Sequence, residues 1–181
     1  ARAMVAEPNL LLLDEPLSAL DANLKRELEE MIRHLNRETG TTMLYVTHDQ
    51  EEAAAVADTI ALMHDGRLVQ TGTAETFYAR PRDSYTAAFF GCKNRIPAQK
   101  NGETVTCPFG TFRIADCDAK DGDVTLLIRP EAAYNTGKGK HAGTVISRVA
   151  RSADTECVLD CAGCKLILHI RYGEDVPVGE T

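Results

Sequence analysis

The chain has 181 residues, enough for one large or two small domains with a real core. Hydrophobic content of 44% and charged content of 26% are those of an ordinary globular protein. No apolar run reaches the roughly 18 residues of a membrane-spanning helix, and the formal net charge of −7 argues against a nucleic-acid partner, which needs a basic face.

Leu10-Leu11-Leu12-Leu13 leads into Asp14-Glu15-Pro16. Such a continuous apolar run predicts a strand buried on both faces, as in a parallel sheet covered by helices. Two carboxylates at its end cost free energy unless a cation or a substrate meets them. Pro16 stops the strand, since it lacks an N–H for the ladder. Asp21 then predicts the N-cap of a long helix that ends at Gly40, a C′ residue. Leu24, Leu28, Met31, Ile32 and Leu35 form its apolar stripe, with Lys25, Arg26, Glu29, Glu30 and Arg33 off it. Residues 42–46 are β-branched and apolar and predict a second strand, which runs into Thr47-His48-Asp49. Asp49 caps the next helix, with Glu52 completing a capping box, and this helix runs to about Ala57. A strand over 59–63, a turn at Asp65-Gly66 and a strand over 67–70 form a hairpin. Two short helices, 74–79 and 84–90, flank Pro81, and Gly91 closes the second. Strand, helix, strand, helix, strand is α/β grammar with a mainly parallel sheet.

From Cys92 the helical period is gone. Short β-rich runs appear at 103–107, 111–114, 124–129, 143–151, 155–159 and 165–171, with Phe109-Gly110 and Ala162-Gly163 at the tight turns. That spacing predicts a small barrel or sandwich.

The succession Leu10–Asp14, Glu15, Ser18-Ala19-Leu20-Asp21 and Thr47-His48-Asp49 closely resembles the ATPase subunit of ATP-binding cassette (ABC) transporters. The resemblance implies a partial P-loop NTPase (RecA-like) core over residues 1–91, followed by a small all-β, OB-like regulatory (TOBE) domain over 92–181. Asp14 would close the Walker B strand and hold Mg²⁺ through its water shell, as hard oxygen ligands suit that ion. Glu15 would be the catalytic glutamate, polarising the attacking water. Ser18 and Asp21 match the D-loop that contacts the second subunit of the dimer, although helix capping alone also accounts for an aspartate at 21. His48 matches the switch histidine that reaches the γ-phosphate; its plainer use is a surface imidazole at a strand end. Ala1-Arg2-Ala3-Met4 is similar to the end of the helix after the family's signature sequence, and Ala88-Phe89-Phe90-Gly91 to the end of its ATPase domain. Leu127-Ile128-Arg129-Pro130-Glu131 resembles the R-P-E segment of importer-type regulatory domains; a structural ion pair is the simpler use of Arg129 and Glu131.

Equally telling is what the sequence lacks. It has no G-x-x-x-x-G-K-[ST], hence no backbone cradle and no lysine for the ATP phosphates. Gly137-Lys138-Gly139-Lys140 has the wrong glycine spacing, with His141 in the place of the hydroxyl, and reads as a basic loop. The signature sequence and the glutamine-containing loop are missing too, which reads as an N-terminal portion removed by design or by proteolysis. The resemblance as a whole implies an ATP-hydrolysing subunit at the cytoplasmic face of the inner membrane. It would act as a homodimer, with permease subunits and indirectly a solute-binding protein, for an iron(III), polyamine, sulfate or sugar cargo. A non-enzymatic regulatory or dimerisation module, acting through the β domain, is the alternative. Six cysteines, three of them in C-x3-C-x2-C at 157, 161 and 164, are expected to be unpaired thiols without a structural metal.

Overall fold

The computed structural model describes residues 8–115, 117–132, 141–151, 154–171 and 178–179. The resemblance read at residues 1–4 and the basic loop at 137–140 lie outside them. The chain divides into two compact units, Ala1–Thr86 and Ala87–Thr181.

In the first unit, β1 (Leu10–Asp14) and β2 (Thr42–Val46) pair in parallel, with Leu10 opposite Thr42 and Asp14 opposite Val46. Parallel neighbours need a crossover, and α1 (Ala22–Thr39) supplies it. Its ends are set locally. The Asp21 carboxylate accepts the Asn23 and Leu24 N–H groups, and Gly40 takes the left-handed conformation, φ 62°, that a C′ glycine reaches without strain. After α2 (Gln50–Val56), β3 (Ile60–His64) and β4 (Arg67–Gly72) form an antiparallel hairpin. Asp65 and Gly66 turn it, both at positive φ as a type I′ turn requires. Thr73 caps α3 (Ala74–Ala79), which places Phe77 fully inside, and α4 (Ser84–Phe89) follows.

Three expectations for this unit are corrected. β1 is not buried on both faces: Leu10 and Leu12 are 51% and 65% exposed, and Leu44 and Val46 beside them 55% and 48%. Among the described residues only the face carrying Leu11, Leu13, Met43 and Tyr45 is partly covered. The inward side of α1 carries Lys25, Leu28, Glu29, Ile32, Leu35 and Asn36, whereas Leu24 and Met31 face out. The spacing 25, 28, 29, 32, 35, 36 is also helical, and an ion pair draws its first member in. Glu52 does not close a capping box, because its carboxylate is taken by Lys25 and Tyr45.

In the second unit, β5 (Asn94–Asn101), β6 (Thr104–Cys107), β7 (Gly110–Arg113) and β8 (Gly122–Ile128) form an antiparallel sheet in the order β7-β6-β5-β8. β9 (Thr144–Ala150), β10 (Thr155–Cys161) and β11 (Cys164–Ile170) form a second, in the order β11-β10-β9. Ile96, Ala98, Val105 and Cys107 of the first sheet share one core with Cys161 and Leu166 of the second. The described strands form no closed barrel. Sequence reading missed β5, in which Pro97 lacks a ladder donor. Pro97 sits opposite Thr125 of β8, while pairing with β6 starts only at Gln99, so no ladder bond is lost on that side. Asn94, 2% exposed, ties the sheets together. Its Nδ2 donates to the Ile128 and Ile167 carbonyls at 3.0 and 2.8 Å, and its Oδ1 accepts the Ile167 N–H at 2.6 Å. A short 3-10 turn, Pro130–Ala132, follows β8, and Arg129 donates to the Phe90 carbonyl at 2.6 Å. All six cysteines are free thiols, and the described residues hold no group of three or more His, Cys, Asp or Glu suited to a metal ion.

Candidate active site

The parallel pairing of β1 and β2 brings the C-terminal ends of both strands side by side, the position where open α/β sheets present ligand-binding groups. The Glu15 N–H donates to the Val46 carbonyl at 2.8 Å, extending the ladder one residue past β1. Glu15 itself has φ 42°, the left-handed region that a residue with a Cβ enters only under constraint. Two contacts supply that constraint: the Ser18 hydroxyl and the Ser18 N–H both donate to the Glu15 carbonyl, at 3.0 and 3.3 Å. Leu17, 3% exposed, pins the turn into the core. Backbone strain of this kind collects where a side chain must be aimed.

Glu15 is aimed at His48. Its Oε1 lies 3.0 Å from His48 Nδ1, and both side chains are largely open to solvent. A carboxylate paired with an imidazole at the mouth of a sheet can orient a water and hold or pass a proton. Asp14, the last residue of β1, is exposed and shares a face with Leu10 and Leu12. Ser18 serves the Glu15 turn and Asp21 caps α1. The structure therefore joins Glu15, His48 and Ser18 directly, while Asp14 and Asp21 lie on the same short segment without touching the pair.

A second polar group behind this pair escaped the sequence reading. Lys25 Nζ lies 2.5 Å from Asp49 Oδ2 and 2.7 Å from Glu52 Oε1, and Tyr45 donates its hydroxyl to Glu52 Oε2 at 3.0 Å. Glu52 is 2% exposed, so this is a buried carboxylate with a cation and a phenol as partners. Hydrogen bonds to Asp49 and Glu52 outweigh burial and hold the Lys25 ammonium above its ordinary range. Burial alone would raise both carboxyls, but Lys25 and nearby donors hold Asp49 and Glu52 below theirs. Burial, and next the bond to Glu52, raises the Tyr45 phenol. The only sequence signal was the inward helical spacing of Lys25, which its charge concealed.

No family model matches the chain. Curated relatives do. A spermidine/putrescine import ATP-binding protein of Borreliella afzelii is 37% identical over 98% of this chain and 54% of its own length. An Fe(3+) ions import ATP-binding protein of Brucella abortus is 43% identical over 84% of this chain and 44% of its own. A sulfate/thiosulfate import ATP-binding protein of Chromobacterium violaceum is 44% identical over 82% of this chain and 41% of its own. The chain spans about half the length of the curated relatives it matches. Over the half that it spans, the chain is homologous to ATP-binding subunits of ABC importers.

Proposed function

We propose that the chain is the Walker B, D-loop and switch-histidine portion of an ATP-hydrolysing importer subunit, with a β-rich regulatory domain after it. The observation that supports this most is the 3.0 Å contact of Glu15 with His48 at the ends of two neighbouring parallel strands. In this reading Glu15 takes the proton of the attacking water, and His48 holds Glu15 and meets the γ-phosphate. Asp14 offers an exposed carboxylate at the strand end, a hard donor of the kind that binds Mg²⁺ together with phosphates and waters. Bound there, Mg²⁺ neutralises phosphate charge. Ser18 and Asp21 shape the segment that would meet a second subunit.

The exposed face of Leu10, Leu12, Leu44 and Val46 fits a seat for the half of the relatives that this chain does not span. The proposal assigns residues 1–91 to the ATPase portion and 92–181 to an OB-like regulatory domain, whose described strands form two sheets and no closed barrel. Partners in this account are a second copy, permease subunits at the cytoplasmic face of the inner membrane and, through them, a solute-binding protein. The relatives' names cover polyamine, iron and sulfate import, so the cargo belongs to a class of small charged solutes.

The test compares two proteins. The complete subunit should hydrolyse Mg-ATP. The 181-residue chain, which keeps Glu15 and His48 but has no phosphate cradle, should neither hydrolyse ATP nor bind it tightly. A complete subunit without ATP turnover would sink the proposal, and turnover by the short chain would sink the account of the cradle.

A further inference from the structure

We infer that Lys25 is a positioning residue for His48, tying the segment that carries Glu15 to the segment that carries His48. The inference rests on the role just proposed for His48. The His48 imidazole is 73% exposed, so no packing around the ring sets its direction. Its aim depends on the backbone at 47 and 49, and both flanking residues are held. The Asp49 N–H donates to Thr47 Oγ1 at 3.0 Å, and Asp49 Oδ1 accepts the Glu51 N–H at 2.7 Å to start α2. Thr47 also helps to hold the Glu52 carboxyl below its ordinary range.

These bonds close a bracket around His48, but the bracket contains two carboxylates, Asp49 and Glu52, that converge on one point. Without a cation they repel, and the buried Glu52 has nowhere to take its charge. Lys25 is that cation, touching both. It belongs to the first turn of α1, where its N–H donates to the Asp21 carbonyl at 2.9 Å. Helix α1 starts directly from the turn 15–21 that aims Glu15. One ammonium thus fixes the spacing between the two strand-end segments whose side chains meet as Glu15 and His48. An ion pair that served only to stabilise the unit could sit anywhere along α1. This one grips the residue next to His48.

The experiment uses the complete subunit with Lys25→Met, Lys25→Arg and His48→Ala, measuring kcat and the Kd for ATP separately. Lys25→Met should lower kcat by at least about ten-fold with the Kd for ATP within about two-fold, because misplacing a reacting group affects turnover more than binding. Lys25→Arg, which can still bridge two carboxylates, should recover kcat to within about three-fold of the wild type. Lys25→Met combined with His48→Ala should be no slower than His48→Ala alone. If Lys25→Met keeps kcat while His48→Ala loses it, the inference falls and the proposed function stands. If His48→Ala keeps kcat, the reading of His48 falls, and the inference with it. Should Lys25→Met fail to fold, Asp49→Asn retains the capping oxygen and removes one charge; unchanged kcat in that variant would equally overturn the inference.

Discussion

Glu15→Gln in the complete subunit should cut kcat by roughly two orders of magnitude or more while ATP still binds. The amide is isosteric with the carboxylate, so the turn built on the Ser18 contacts to the Glu15 carbonyl stays intact. Only the capacity to accept a proton from water is lost. The contact with His48 Nδ1 survives as a neutral hydrogen bond, with the ring free to be donor or acceptor. Because hydrolysis stops and binding does not, the variant should accumulate as the ATP-bound dimer, visible by light scattering. Hydrolysis at the normal rate would remove Glu15 from the role of base.

Asn94→Ala should destabilise the second unit by about 2–4 kcal/mol, since it removes three hydrogen bonds to the backbone groups of Ile128 and Ile167. The Ile167 N–H and carbonyl both point away from β10, off the free edge of β11, and the Asn94 side chain meets them as a neighbouring strand would. Its amide also caps the Ile128 carbonyl at the end of β8. The two sheets share a modest core of small strands, so these three bonds weigh heavily in their docking. Amide hydrogen exchange of β9–β11 in the 181-residue chain is the measurement, because it reads this unit without averaging over the other. A change under about 0.5 kcal/mol would mean that water satisfies Ile167 and Ile128 equally well.

Where local chemistry decides an element, the sequence was readable. Asp21 and Gly40 mark both ends of α1, and Asp65-Gly66 marks the β3–β4 turn, because caps and type I′ turns depend on a residue or two. The parallel pairing of β1 with β2 followed from the helix between them. Non-local decisions were hidden. Leu10 and Leu12 look like core in any window of sequence, yet their exposure depends on which other segments are present to cover them. β5 was passed over as a strand, and the register with β6 that accommodates its Pro97 is a tertiary fact. Glu15 and His48 were legible as chemistry through a motif, 33 positions apart, but the contact between them belongs to the sheet. Lys25 read as a surface charge and Glu52 as half of a capping box, since nothing in the sequence says that they will meet.

The account makes Glu15 and His48 one catalytic unit, and a double-mutant cycle on kcat tests that most directly. If they act together, Glu15→Gln combined with His48→Ala should be no more than about three-fold slower than Glu15→Gln alone, since residues of one unit lose their effect once. Fully multiplying effects, with each substitution costing the same in the presence or absence of the other, would contradict the central claim.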